Sequence, residues 1–158
     1  MPTEDWGERP LTELLDHLLR EYHAPIEGEL RAIREAVRAA AAACADGPGR
    51  FTELIREVDE LAEELANHVA KEEAVLFPWI RSGRGALAGA PIRVMMLEHA
   101  DADARVARIN MLLPCVHKGG GDACAALRDC FATFSSRLAE HMRLENEVLF
   151  PRALRGSL

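Results

Sequence analysis

Apolar residues recur at helical spacing along four long stretches of the chain. The stretches are 11–44, 51–81, 91–116 and 122–154. Segments rich in Gly, Pro and polar residues separate them, at 46–49, 82–91 and 118–122. Amphipathic helices joined by short connections bury their apolar faces against one another. The pattern therefore predicts an all-α fold, an up-down-up-down four-helix bundle.

Two of the predicted apolar faces also carry His and Glu. In the second helix the face comprises Leu54, Val58, Leu61, Leu65, His68, Glu72 and Val75. In the fourth helix it comprises Leu127, Phe131, Phe134, Leu138, His141, Glu145 and Val148. We therefore expect both His-Glu pairs to be buried.

Prolines modify three of the helices. Pro25 lies inside the first stretch, where it removes a backbone hydrogen bond. We predict a short leading helix over about 11–22, then a bend, then the first bundle helix. Pro78 and Pro151 are expected to kink or loosen the ends of the second and fourth helices. Residues 1–10 are expected to form a flexible N-terminus before a single domain at 11–155.

A segment of the second helix occurs again in the fourth. Residues 65–78 and 138–151 share Leu, Ala, His, Glu, Val, Leu, Phe and Pro at corresponding positions, with His and Glu four residues apart in both. His23 and His99 hold matching places on the first and third helices. We interpret the chain as two helix-hairpin repeats, each with a lone His on its first helix and a His-x3-Glu pair on its second.

Composition and charge narrow the functional classes. Hydrophobic residues make up 49%, charged residues 28% and aromatic residues only 5% of the chain, a balance that favours helix over strand. The net charge of −7 argues against nucleic-acid binding, which needs a basic surface. No stretch is apolar enough to cross a bilayer, and the N-terminus lacks a signal-peptide core. We expect a cytoplasmic protein without membrane contact.

The cysteines and two further histidines are given no functional role. Cys44, Cys115, Cys124 and Cys130 show no CxxC spacing and are expected to be free thiols. Cys115 and Cys124 flank the glycine loop and could approach each other. His17 lies about 120° from the face of His23 and is expected to be solvated or packed. His117, beside the glycine loop, is expected to be exposed.

Pseudo-twofold packing of the two hairpins would bring four imidazoles and two carboxylates together at the centre of the bundle. Residues four apart on a helix share a face, and such ligands suit iron, manganese or zinc. Two octahedral ions held by these six groups would still have unfilled coordination positions. This implies an oxo or hydroxo bridge and an open position for dioxygen or nitric oxide. A His-x3-Glu pair alone is more often a surface pair, but burying one without a partner is costly. The ferritin-like Glu-x-x-His signature is absent.

The order His, His-x3-Glu, His, His-x3-Glu resembles the hemerythrin-like (HHE cation-binding) domains, and most of all the repair-of-iron-centres (RIC) proteins. The stretches that carry the resemblance are 20–25, 67–78, 97–99 and 140–151. It covers about residues 11–155. The resemblance implies a non-haem di-iron site and two acidic residues near the irons, Glu64 and Glu98. The implied ligands are His23, His68, Glu72, His99, His141 and Glu145, with Glu72 and Glu145 bridging.

The resemblance to RIC proteins implies repair of iron–sulfur clusters by supply of iron, with apo or damaged iron–sulfur proteins as partners. It also implies reaction with nitric oxide or peroxide under nitrosative or oxidative stress. RIC proteins usually carry an N-terminal domain with adjacent cysteines, and we expect this protein to lack that domain or to borrow it from a partner.

Three other functions stay open. One is a hemerythrin-type protein that binds or senses oxygen or nitric oxide, although the fifth histidine of oxygen carriers has no counterpart here. Another is a di-iron nitric oxide reductase or peroxide scavenger, so whether the protein is an enzyme is undecided. The third is a structural four-helix bundle without metal.

Overall fold

The computed structural model describes residues 6–44, 48–113 and 121–156, and within these ranges it contains helices and turns but no strand. The α-helices are α1 (Leu11–Leu18), α2 (Ala24–Ala43), α3 (Thr52–Lys71), α4 (Phe77–Arg81), α5 (Gly89–Leu112), α6 (Gly121–Arg143) and α7 (Phe150–Leu154). Short 3₁₀ turns at Pro48–Phe51 and Gly85–Leu87 lie in two of the connections. The all-α bundle with a leading helix is confirmed.

The four long helices α2, α3, α5 and α6 form the bundle. Helix α2 packs against α3 and α6, and α5 packs against α3 and α6. One apolar cluster fills most of its length, with Phe51, Leu61 and Phe131 among its most buried members. A second cluster lies under α1, α4 and α7 and includes Leu76 and Phe150. Along every bundle helix the predicted His and Glu positions fall between these two clusters, so apolar cores flank the polar layer on both sides.

Three segments of π-helix interrupt the α-helical geometry at this layer. They are Leu19–His23, Glu72–Leu76 and Leu144–Leu149. Each ends two residues before a proline: Pro25, Pro78 or Pro151. A proline ring clashes with the carbonyl one turn earlier in an α-helix, and the wider π turn relieves that clash. The expected bend at Pro25 is therefore a π turn within an unbroken helical path, and the carbonyl of Glu21 is satisfied by the Arg137 guanidinium.

The π segments also shift which side chains face inward. Val75 was expected on the buried face of the second helix, but 43% of its surface is exposed. Leu76 is buried instead, and in the matching segment Leu149 is buried while Val148 is only half-buried. The prediction for Val75 was wrong because a π turn carries one more residue than an α turn and so rotates the following residues about the axis.

Both termini of the described chain pack onto the second apolar cluster. Trp6 is buried beside α1, and its carbonyl accepts a hydrogen bond from Arg152. The flexibility expected for residues 1–10 stays a prediction. Helix α4 ends at Arg81 and is capped through Gly83, whose φ of 74° permits backbone hydrogen bonds from Gly83 to Ile80 and from Arg84 to Trp79, the Schellman arrangement.

Among the described residues, no helix is long and apolar enough to cross a membrane. Cys44 is a buried free thiol, Cys130 is a half-buried one, and the side chain of Cys124 is buried. Cys115 and His117 lie outside the described residues, so their predicted settings stay predictions.

Candidate metal centre

The structure brings the six residues predicted as ligands into one buried layer. At most 4% of the surface of any of them is exposed. They form two overlapping groups, each with donor atoms within 4.8 Å of one another: one holds His23, Glu72, His141 and Glu145, and the other holds His68, Glu72, His99 and Glu145. The two carboxylates belong to both groups and the four histidines divide between them.

The first group is centred on His23 and His141. Their Nε2 atoms are 3.1 Å apart. Nε2 of His141 lies 2.9 Å from Oε1 of Glu145, and Nε2 of His23 lies 3.4 Å from Oε2 of Glu72. Two imidazole nitrogens and two carboxylate oxygens thus converge on one point.

The second group repeats this arrangement around His68 and His99. Their Nε2 atoms are 3.0 Å apart. Nε2 of His99 lies 3.2 Å from Oε2 of Glu145, and Nε2 of His68 lies 3.5 Å from Oε2 of Glu72. Glu145 therefore offers one oxygen to each group, and Oε2 of Glu72 faces histidines of both.

The donor atoms of this layer fit metal ions. Both carboxylate oxygens of Glu72 and Oε2 of Glu145 are buried without a hydrogen-bond partner among the described residues. A buried, unpaired carboxylate oxygen costs free energy unless a cation compensates it. Two positions with two nitrogen and two carboxylate donors each suit divalent iron, manganese or zinc.

Hydrogen bonds behind three of the histidines fix their orientation. The Nδ1 atoms of His23 and His68 lie 3.0 Å from carboxylate oxygens of Glu73 and Glu98, respectively. Nδ1 of His99 lies 2.9 Å from Oδ1 of Asn146. Carboxylate and carbonyl oxygens only accept, so each Nδ1 donates and each Nε2 is left free for a metal.

The residues around the layer differ in part from those expected. Glu98 contacts His68 and also pairs with Lys71. Glu64 lies further out and accepts hydrogen bonds from Arg105 at 2.7 and 2.8 Å. Sequence reasoning missed Glu73 and Asn146. The available signal was the repeat itself, since each directly follows a shared glutamate.

Charges within the layer shift the pKa values of its groups in opposite directions. Burial and the neighbouring Glu145 carboxylate raise the pKa of Glu72. Burial disfavours the Glu145 carboxylate too, but the three histidines around it outweigh this effect and hold the pKa of Glu145 well below its usual range. Burial disfavours protonated His23, yet its attraction to the nearby carboxylates of Glu145 and Glu72 prevails and raises the pKa of His23 to about 10. Without metal, the layer therefore holds protons where the cations fit.

Two surface openings reach the layer from different sides. A pocket of about 210 Å³ beside α3 and α5 is lined by His68, His99, Lys71 and Glu98. A wider groove of about 600 Å³ between α2 and α3 reaches His23 and Glu73. Each group thus contains at least one histidine that borders its own surface opening.

Residues 14–153 of the chain match the model of the family described as the hemerythrin HHE cation binding domain. It therefore belongs to the hemerythrin HHE family, as the order of its His and Glu residues had indicated.

Its relatives include proteins named iron-sulfur cluster repair protein YtfE. The protein of that name from Yersinia pseudotuberculosis serotype O:1b (strain IP 31758) is 35% identical over 157 residues, which are 98% of this chain and 71% of the relative. The one from Dickeya chrysanthemi (strain Ech1591) is 35% identical over 156 residues, 97% of this chain and 70% of the relative. The resemblance to the repair branch of the family is confirmed.

Proposed function

We propose that this protein holds two iron ions on His23, His68, Glu72, His99, His141 and Glu145, and supplies iron for the repair of iron–sulfur clusters. The donor set supports two ions, because two shared carboxylates separate two pairs of histidines at similar distances. The relatives named as iron-sulfur cluster repair proteins support the proposal that the iron is delivered to iron–sulfur clusters. Bound iron would supply a cation for delivery and a redox centre for reaction with small molecules.

The shared pair of glutamates is the observation that carries the proposal. Three of their four oxygens are buried without a hydrogen bond among the described residues, so the layer is electrostatically incomplete without cations. The pocket lined by His68 and His99 leads from solvent to one side of the layer, and its acidic rim at Glu64, Glu98 and Asp101 suits a departing cation. Partners would then be apo or damaged iron–sulfur proteins, and the cytoplasmic location stays a prediction.

Anaerobic reconstitution followed by transfer tests this function. We expect two irons per chain. With a chelator present, an apo-iron–sulfur protein should acquire iron from the loaded chain faster than it acquires the same amount of free iron. His68→Ala and His141→Ala should each lower the iron content, because each removes a donor from a different group. Arg143→Ala, a change at an exposed ion pair with Glu140, is the matched control. Both His variants retaining two irons would refute the ligand assignment, whereas a loaded chain that never transfers iron would refute only the repair role.

A second candidate function is reaction with nitric oxide, oxygen or peroxide. The groove between α2 and α3 favours it, because small and apolar side chains at Ala62, Ala66 and Val69 lead toward His23. Exposure of the reduced, iron-loaded protein to each of these small molecules distinguishes a carrier or sensor from an enzyme. A stable and reversible oxygen adduct indicates a carrier or sensor. Consumption of nitric oxide or peroxide over many turnovers indicates an enzyme.

A further inference from the structure

The outward face of α5 is apolar where it meets solvent. Val94 and Met96 are each 46% exposed, and Leu97 is 67% exposed. Ala90 and Ala100, which border them, are exposed as well. The opposite face of α5 packs against α3 and α6, so none of the described residues covers the outward one. Single exposed apolar residues are common, but a contiguous group of them indicates an interaction surface.

Two opposite charges flank Leu97 on this face, one turn of helix away on either side. Arg93 lies four residues before Leu97 and Asp101 lies four residues after it, and both are exposed. Residues four apart are offset by about 40° around the axis, so Arg93, Leu97 and Asp101 form one continuous ridge. Neither charged side chain has an ion pair or a hydrogen bond among the described residues. Both are therefore available to a partner.

The other charged residues of α5 are engaged or lie elsewhere on the helix. Glu98 pairs with a lysine of α3. Arg105 and Arg108 both pair with a buried glutamate of α3. Asp103 lies about 120° around the helix from Leu97. The ridge is therefore the place on α5 where two unpaired charges of opposite sign bracket an exposed apolar side chain.

This ridge is complementary to a second copy of itself. When ridges of residues four apart on two helices pack into each other's grooves, the helix axes cross at about −50°. A twofold axis at Leu97 then brings the two Leu97 side chains together and places Arg93 of each copy opposite Asp101 of the other. A twofold interface uses the same patch on both copies, and so it needs opposite charges at equal distances from the axis.

We infer that two copies of this chain form a twofold-symmetric dimer through the outward faces of α5, with Leu97 at the axis. Two ion pairs between Arg93 and Asp101 flank the central contact, and Val94 and Met96 enlarge its apolar part. A different protein could match the apolar residues, but it would not require opposite charges at equal distances from Leu97. The symmetry of the ridge therefore favours a second copy of this chain as the partner.

The dimer also adds a charged residue to the pocket beside α3 and α5. Asp101 lines that pocket, which reaches His68 and His99. Arg93 of the second copy therefore brings a positive charge to its rim, and the pocket is less acidic in the dimer than in the monomer. Formation of the dimer does not depend on bound metal.

Sedimentation velocity of the metal-free, full-length chain over a wide range of concentrations tests the dimer. Salt near physiological strength screens the repulsion between two chains that each carry a net charge of −7. We expect the parent chain to pass from monomer to dimer as its concentration rises. Leu97→Glu places two carboxylates at the axis and should weaken association by at least about a hundredfold. Arg31→Glu, a charge reversal at an exposed position of α2, is the control and should leave association unchanged.

Charge reversal on either side of Leu97 tests the twofold arrangement. Arg93→Glu and Asp101→Arg should each weaken self-association by about tenfold, because each puts like charges opposite one another on both sides of the axis. An equal mixture of the two variants should associate as tightly as the parent chain, since mixed pairs again have opposite charges at both contacts. All the substituted positions are exposed, so the fold should be retained.

Several results would overturn the dimer. One is a parent chain that stays monomeric at every concentration, and another is a dimer that Leu97→Glu leaves intact. Arg93→Glu or Asp101→Arg associating as tightly as the parent chain would refute the ion pairs, and a mixture that associates no better than either variant alone would refute the twofold arrangement. Because the metal-free chain gives all of these results, failure of the dimer and failure of the proposed iron function are distinguishable.

Discussion

Nδ1 of His23 donates a hydrogen bond to Oε1 of Glu73 at 3.0 Å. In the second half of the chain, His99 makes the equivalent contact with Asn146. The two repeats therefore hold their lone histidines in the same way, but one repeat uses a carboxylate and the other an amide. A carboxylate behind an imidazole makes its metal-binding nitrogen more basic. The two lone histidines, His23 and His99, are therefore chemically unequal.

Glu73→Gln should weaken metal binding at the position of His23 by about tenfold, because the hydrogen bond is kept while its charge is lost. Asn146→Asp should strengthen binding at the position of His99. Titration of the metal-free chains with manganese(II), followed by calorimetry, measures both affinities. Glu147→Gln, at an exposed partner of Arg143, serves as the control. Unchanged affinities in both variants would show that these contacts do not tune the metal.

Metal binding should release protons and strengthen as the pH rises. Since the folded-state pKa of His23 is raised from 6.5 to about 10, an entering ion must displace its proton near neutral pH. Apparent affinity should therefore increase by up to about tenfold per pH unit for this group until the pH reaches about 10, and level off above it. Calorimetry in buffers of different ionisation enthalpy counts the protons released. Release of no proton would contradict the proposed role of His23.

The metal-free chain should show the opposite dependence on pH. A raised folded-state pKa stabilises the folded chain fully below 6.5, and this contribution is lost as the pH rises toward about 10. Thermal unfolding of the metal-free chain across this range should give a falling midpoint. His23→Gln should flatten the curve, and a parent curve that is already flat would contradict the protonated state of His23.

Arg105 should be important for stability but not for metal binding. It contacts Glu57, Glu60 and Glu64 at 2.6 to 2.7 Å, and Glu57 is almost wholly buried. Among the described residues, Arg105→Ala leaves that carboxylate with its contacts to Arg56 and Arg108, and should cost about 2 kcal/mol of unfolding free energy. Denaturant unfolding of the metal-free chain measures this loss. Arg143→Ala, at an exposed pair, should change stability by less than about 0.5 kcal/mol.

Two glycines should respond oppositely to alanine. A Cβ on Gly28, inside α2, meets nothing within 4 Å, so Gly28→Ala should stabilise the chain by about 1 kcal/mol. A Cβ on Gly85 would lie 2.8 Å from the carbonyl oxygen of Ala153. Gly85→Ala should therefore cost about 2 kcal/mol, since α7 must move away. Denaturant unfolding compares them, and equal effects would contradict the close contact of the Gly85 turn with α7.

The sequence predicted that the six central residues would lie together, because helical spacing and the internal repeat are both visible in the order of residues along the chain. Glu73 and Asn146 did not follow from it. On a regular α-helix each lies about 100° from the preceding glutamate, and therefore away from the face that carries the histidine and that glutamate. The π turns beginning at Glu72 and Leu144 change that direction, and they also expose Val75. The contact of Glu64 with Arg105 depends on the register between α3 and α5, which no pattern within one helix contains.

Crystals of the iron-loaded chain, measured by anomalous diffraction at the iron edge, test the central claim most directly. The account predicts two iron peaks per chain in the buried layer. One should lie between His23 and His141 and the other between His68 and His99, with Glu72 and Glu145 bound to both. A single peak, or iron located outside this layer, would contradict it.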